Sequence, residues 1–479
     1  MRKKTFIMML TVLAASAVFL AALALTPAAY AATRPHPSKL GFSPLKVTTP
    51  RVIDVSLSNG LTGFLVEDHE IPVVDVVLLV KTYFADEAKY GLNDMAQWVI
   101  RNGGTTTWPG DKLNDEMEYL AANIEVSGGG LNTTFSFNCL KKDLPRVMEI
   151  FGDLVTNPAF PDDKVEMRRK TMIEEIRRRN DEPNSVSRRE FAQLVYRDHP
   201  YAWETTTESV NAITRDDLTN FYKTYFHPNN AIIGISGDVT KDEIVAGLEK
   251  VFANWRPADV SIPKVPDLPV APAPSCTYTY MDINQAYISM GHQGINSNDP
   301  ERCAVDVMNF ILGGGSFTSW IMEKVRSDEG LAYHAASRYS SDPWVNGLFT
   351  ASAQTKADAC GRAITIMMDQ IKRMRDVGPT ADEVKKAVDS YVNSYVFDYE
   401  SKSQVVRRLV QLRFEGRPLD TPQKDMEAYA KLTVADIRGA AQRYLHPDKL
   451  TLLVVGNAKL FDRPLGDFGT VNEMALEKN

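Results

Sequence analysis

Hydrophobic and polar residues recur along this chain with two periods, and the changes of period mark its elements. A spacing of two, or a near-continuous apolar run, predicts strands over 52–57, 62–67 and 73–80. A spacing near 3.6 predicts helices over 92–101 and 111–122. Gly128, Gly129 and Gly130 then break the pattern before an alternating strand over 133–139. Three long helices follow, over 144–156, 162–180 and 185–196. The run Arg177, Arg178, Arg179 reads as a solvated helix end, favourable at the negative pole of the helix dipole.

The periodicity stops over 256–275. That stretch carries Pro257, Pro263, Pro266, Pro269, Pro272 and Pro274 and predicts an extended, semi-rigid connector. On either side of it the chain repeats itself. Thr214, Asp217, Tyr225, His227, Pro228 and Gly237 recur as Thr433, Asp436, Tyr444, His446, Pro447 and Gly456, all at one offset of 219 residues. Each copy reads as helix, His-Pro turn, apolar strand and glycine, so the constant offset marks a duplicated unit. The expected fold class is α+β, with two homologous domains, each a mixed or antiparallel sheet packed with helices. The expected boundaries are 51–255 and 276–470, after a proline-rich lead at 32–50 and before a tail at 471–479.

Composition adds a compartment. Arg2, Lys3 and Lys4 precede an apolar stretch reaching Leu25, and Ala29-Tyr30-Ala31 supplies a small-x-small cleavage site. Residues 1–31 therefore read as a secretory signal, and the absence of a Cys after the site argues against a lipid anchor. The apolar stretch is long enough to span a bilayer, so a retained anchor competes with cleavage. The Ala-x-Ala ending favours cleavage and export to the periplasm or beyond, with no stable membrane anchor afterwards. Losing the three basic residues takes the formal charge from −7 to −10, a poor balance for binding nucleic acid. Cys139, Cys276, Cys303 and Cys360 show no metal-site spacing. Export permits disulfides, and Cys303 with Cys360 is the better-placed pair, both on predicted helices of the second half. No two of the 7 histidines lie four apart, so no helix presents a paired-His zinc face. His227 and His446, each before a proline, read as capping or packing residues.

The candidate chemistry lies on the helix after the third strand. Gly91-Leu92-Asn93-Asp94-Met95-Ala96-Gln97-Trp98, running on to Gly104-Thr105, has the frame of an inverted-zincin helix, His-x-x-Glu-His. Asp94 stands at the first His, Gln97 at the catalytic Glu and Trp98 at the second His. Glu175 falls where a third ligand belongs, with 76 residues between it and Trp98. In this frame the chain resembles the pitrilysin/insulinase family of metallopeptidases. A catalytic zinc needs three donor side chains, an open position for water and a carboxylate base to deprotonate that water. Tryptophan offers only an N–H donor, and glutamine has no useful basicity. Asp94 and Glu175 alone suit a weak hard-ion site, so no metal is expected in this chain. Read without the resemblance, Asp94 and Gln97 are ordinary polar residues of an amphipathic helix. A second Glu of the family, seven residues before the third ligand, is Arg168 here, and its positive charge disfavours a neighbouring cation.

Further segments carry the resemblance through residues 50–460. They are His199-Pro200-Tyr201, Tyr225-Phe226-His227-Pro228-Asn229-Asn230 and Gly237-Asp238-Val239 in the first half. In the second half they are the glycine-rich Gly313-Gly314-Gly315-Ser316-Phe317 and Arg326-Ser327-Asp328-Glu329-Gly330-Leu331-Ala332-Tyr333. The resemblance implies a fold like that of mitochondrial processing peptidase. It also implies that Arg326 and Tyr333 assist a zinc centre, since both donate hydrogen bonds that suit an oxyanion. Trp320 stands where many relatives place Arg. Substrate in the family is held as an added edge strand, and the corresponding edge here is Ile124, Glu125, Val126 and Ser127.

Some family members work as two chains, one with the zinc motif and one without it that supplies the Arg and Tyr. This sequence resembles the second kind. The implied partners are a homologous zinc-bearing subunit, which would carry the only zinc, and an extended peptide or unfolded protein. A peptide-binding or chaperone-like protein using the same chamber without cleavage is the alternative. A free-standing hydrolase with another metal, or none, is the third reading.

Overall fold

A computed structural model describes residues 50–84 and 86–476. The signal read at 1–31 lies outside the described residues. The first sheet is built from β1 (Ile53–Ser56), β2 (Thr62–Glu67), β3 (Val73–Lys81), β4 (Asn123–Gly128), β5 (Asn132–Leu140) and β6 (Ala231–Gly237). Their spatial order is β1-β2-β6-β3-β5-β4. Only β2 and β6 are parallel neighbours in it. β7 (Ser275–Tyr280) and β8 (Gln285–Gln293) open the second sheet. β9 (Ile295–Asn296) pairs with β11 (Ser341–Asp342) as a separate ladder, on either side of β10 (Ala332–Tyr339). β12 (Leu348–Lys356), β13 (Thr451–Gly456) and β14 (Val471–Glu473) complete the second sheet, in the order β10-β12-β8-β13-β7-β14. Read from its other end, this order mirrors the first sheet. The expected α+β architecture of two helix-packed sheets is present.

The repeat has a local physical meaning. Thr214 and Thr433 each cap a helix, Arg215–Tyr225 and Val434–Tyr444, through reciprocal bonds with Asp217 and Asp436. The His227 ring bonds the carbonyls of Lys223 and Arg256 at 2.9 and 3.0 Å, tying the helix end to the connector. Gly237 closes β6 at φ +128, where a Cβ would lie 2.1 Å from the Val73 carbonyl oxygen. No other residue fits there.

Two expectations are corrected. Residues 471–479 are not simply a tail, because Val471–Glu473 forms β14, parallel to β7. It fills the place that β1 takes in the first sheet, from the opposite end of the chain. The cysteine pair is also wrong, since all four cysteines are free and buried. Cys303 Sγ lies 3.8 Å from an Asp425 oxygen, whereas the thiol of Cys360 has Cys276 as its electrostatic neighbour. Two helices of one half need not put their thiols together.

The connector is strapped down. His199 Nε2 bonds the Pro266 carbonyl at 3.0 Å, Tyr83 Oη donates to Lys264 at 3.2 Å, and Gln293 holds Pro269 at 3.0 Å. Either side of it, the halves exchange helices. Lys402–Phe414, from the second half, lays Val406 and Val410 on Phe64, Val66, Val77, Leu79 and Ile232 of the first sheet. Pro183–Tyr196, from the first half, lays Val186, Phe191 and Val195 on Leu453 and Val455 of the second. The first residues of these helices are 219 apart, so the exchange follows the repeat. Gly234 of β6 makes room, since a Cβ there would meet Val406 at 2.3 Å. Val410→Ala is expected to cost about 2 kcal/mol, read by urea unfolding, for lost burial and an unfilled gap. Both halves should unfold in one transition. Separate transitions for the two sheets would show that the exchanged helices do not couple them.

Candidate functional site

The helix Leu92–Gly103 turns Leu92, Met95, Ala96, Val99 and Ile100 into the core. Asp94, Trp98 and Arg101 therefore fall toward its other side, at helical spacing. Gln97 is buried, and its amide donates to the Asn132 carbonyl and Thr133 Oγ1, both at 3.2 Å. Asn93 donates to the Gly130 carbonyl at 2.9 Å. The glycine hairpin between β4 and β5 is thus stitched to this helix by two amides. Gln97 acts as a bracket, with no basicity to offer a water. Trp98 is half-buried against the first core and occupies the volume of a would-be ligand.

The next long helix, Asp162–Arg178, carries Arg168 and Glu175 seven residues apart and so on one face. Arg168 Nε donates to Asp94 Oδ1 at 3.0 Å, Nη2 donates to the same oxygen at 2.5 Å, and Nη1 donates to Glu175 Oε1 at 2.9 Å. The guanidinium is nearly buried, with 10% of the side chain exposed, while both carboxylates are more than half exposed. Burial opposes its charge, but Asp94 and then Glu175 outweigh that and hold its pKa above the usual value. The two acids are therefore bridged by a cation built into the chain. Zinc does not fit this set: Trp98 stands at one ligand position, Gln97 at the base position, and a fixed charge lies between the oxygens of Asp94 and Glu175. Among the described residues, no group of three or more His, Cys, Asp or Glu is placed to hold a metal ion.

Removing that cation tests how far the bridge matters. Because Asp94 and Glu175 stay in contact with water, Arg168→Gln is expected to cost only about 1 kcal/mol, and less at high salt. A loss above about 3 kcal/mol would mean that the acids behave as a buried pair.

The strand expected to hold substrate is β4, and it lies at the edge of the first sheet. Glu125, Val126, Ser127 and Gly128 form one wall of an open pocket of about 470 Å³. Asp94, Trp98, Arg101 and Arg168 form the other. Arg101 was missed by sequence reasoning, although it sits seven residues after Asp94 on the same helix face. Its Nε donates to the Ile124 carbonyl at 2.5 Å and its Nη1 to Asn114 Oδ1 at 2.8 Å. Burial lowers its pKa, partly offset by Glu125.

Arg326 and Tyr333 lie in the second half and line no part of that pocket. The glycine-rich segment begins as a π-helical turn, Phe310–Gly314, and a second π-helical turn, Glu323–Asp328, carries Arg326. Gly313 lies against β10, where a Cβ would meet the Ser337 nitrogen at 2.2 Å. Tyr333 occupies an irregularity in the β10–β12 register, and β10 is an edge strand. Such a bulge re-aims a side chain, and Tyr333 is 83% exposed. The Arg326 guanidinium carbon lies 4.6 Å from the Phe317 ring centre and 5.2 Å from that of Tyr333. Trp320 has a different role. It is buried, donates to Glu383 Oε1 at 2.6 Å and carries Arg373 over its ring at 3.8 Å.

Residues 65–209 match the profile of insulinase, peptidase family M16, and residues 212–391 match the peptidase M16 inactive domain. The chain belongs to the M16 family. Similar to it is an uncharacterised zinc protease of Streptomyces coelicolor, 26% identical over 354 residues, which are 71% of this chain and 76% of the relative. A non-peptidase homologue from Helicobacter pylori is 24% identical over 347 residues, 72% of this chain and 79% of the relative. The crystal structure of a peptidase M16 inactive domain from Pseudomonas fluorescens shares the fold at TM-score 0.77 and 24% identity. It covers 89% of this chain and 100% of its own. In this M16 chain the site helix carries Asp94, Gln97 and Trp98 at the three positions of the His-x-x-Glu-His frame.

Proposed function

We propose that this chain is the non-catalytic subunit of an exported M16 metalloendopeptidase and lends Arg326 and Tyr333 to a zinc-bearing homologous partner. One observation carries the reading: within a single chain, a guanidinium bridges the two acids of the metal position while a phenol stands out from an edge strand, in contact with an arginine. A chain without a usable centre has no use of its own for such donors, whereas a partner's centre does. The division of roles also explains why Arg326 and Tyr333 line no pocket with Asp94.

A tagged chain captured from its native host, with co-purifying proteins identified by mass spectrometry, tests the reading. A stoichiometric relative with intact His-x-x-Glu-His is expected, together with peptidase activity that neither chain shows alone. Recovery of the chain by itself would sink the proposal. The pocket beside the β4 edge favours a second reading, a peptide-binding or chaperone-like protein that uses strand addition without cleavage. That reading requires micromolar or tighter affinity of the isolated chain for extended peptides, measured by calorimetry.

A further inference from the structure

We propose that Phe317 is a positioning residue that fixes the Arg326 guanidinium beside Tyr333. The reading of Arg326 as a donor to a partner rests on the function proposed above, but the clamp itself is a property of this chain alone.

Three observations meet at Phe317. Its ring is 61% exposed at the tip of the glycine-rich segment, so burial does not account for its placement. The residue before it, Ser316, is held at φ +55, a left-handed conformation that side chains other than glycine seldom adopt. Two π-helical turns, Phe310–Gly314 and Glu323–Asp328, flank the tip, and such turns concentrate at functional positions. The strain and the exposure together bring one aromatic face over one guanidinium.

What the arrangement does follows from the electrostatics. An aromatic face is negative and attracts a cation, and a guanidinium stacked on it keeps its in-plane N–H donors free. Arg326 is half-buried and has no salt bridge among the described residues. Phe317 and Tyr333 therefore take the place of a carboxylate. They restrict the side chain without consuming its donors, which an ion pair would do.

The Trp320 cluster shows the contrasting case in the same chain. There the ring is buried and its N–H is bonded to Glu383, so the stacked Arg373 belongs to a closed structural contact. The Phe317–Arg326–Tyr333 stack is open to solvent at both rings.

The first test needs no partner. In the isolated chain, the Arg326 Nε–H signal, assigned by its loss in Arg326→Lys, should show an upfield ring-current shift. Phe317→Leu keeps the bulk and removes one of the two π faces, and should reduce that shift to the part contributed by Tyr333. Phe317→Tyr should retain it. An unshifted signal in the parent chain, or equal shifts in the Leu and parent chains, would overturn the proposal. The second test uses the reconstituted complex. Phe317→Leu is expected to lower kcat roughly 2- to 5-fold at unchanged KM, with Tyr restoring it. An unchanged kcat in an active complex would overturn the positioning role, since a clamp that guides a donor must be felt in turnover. If no active complex forms with the parent chain, the proposed function fails, and the ring-current arm still decides the clamp.

Discussion

Tyr333→Phe in the reconstituted complex is expected to lower kcat by about 10²-fold, which corresponds to roughly 3 kcal/mol of transition-state stabilisation. The same substitution should leave the stability of the isolated chain unchanged. Both halves of this expectation come from one geometric fact. Tyr333 sits in a β10 irregularity and is 83% exposed, so removing its hydroxyl strands no buried group and opens no cavity. A hydroxyl that strands no buried group yet is held out from an edge strand has its energetic role in a complex. An oxyanion donor acts on charge that develops only in the transition state, so the loss should appear in kcat with little change in KM. An unaltered turnover number would remove Tyr333 from that role and leave Arg326 to be examined alone. Loss of stability would instead return Tyr333 to the structure of the second sheet.

Much of the fold was legible because it is written in local patterns. The strand 62–67 and the helix 144–156 end where the apolar period ends, at Thr62–Glu67 and Leu144–Thr156. The capped helices at Thr214 and Thr433 are local as well, since a Thr and an Asp three residues on carry their own geometry. What was not legible depends on pairing across long stretches of chain. Val471–Glu473 is three residues with no alternation to read, and it becomes a strand only because β7, almost 200 residues earlier, has a free edge. The exchanged helices show apolar faces in the sequence, but nothing in Val186, Phe191 or Val195 says which sheet they cover. The pairing of Cys303 with Cys360 failed for the same reason, because shared membership of a half says little about distance.

The site divides along the same line. The exchange of ligands at Asp94, Gln97 and Trp98 is visible residue by residue. The Arg168 bridge was half visible. Its spacing from Glu175 places both on one helix face, but the bond to Asp94 needs the packing of two helices 74 residues apart in sequence at those positions. Arg101 carried a usable signal, its spacing from Asp94, and was overlooked because a lone arginine near a helix end is ordinarily a solvated charge. Two neighbouring acids are balanced by positive charge between them, and here the chain supplies it from Arg168.

Acid should weaken this fold through one buried histidine. His292 lies on β8, buried against Phe349 and His446. Its Nδ1 donates to the Gln293 carbonyl at 2.7 Å, and its Nε2 accepts the His446 backbone N–H at 3.2 Å. Both ring nitrogens are thus committed in the neutral form, and protonating Nε2 would set two donors against each other. Burial, with the nearby His446 and Lys449, lowers its pKa to about 4, against smaller opposing effects of the Gln293 carbonyl and Asp448. The unfolded chain takes up this proton near 6.5 and the folded chain does so only near 4. Stability from this group is therefore complete above pH 6.5 and lost as pH falls to about 4, a change of about 3 kcal/mol. Urea unfolding of the parent chain and of His292→Gln at pH 7.5 and 4 isolates it. The parent should lose about 3 kcal/mol more than the variant across that interval, whatever the variant's stability at pH 7.5. Parallel losses would show that His292 ionises freely in the folded chain, and would place the acid sensitivity of the fold elsewhere.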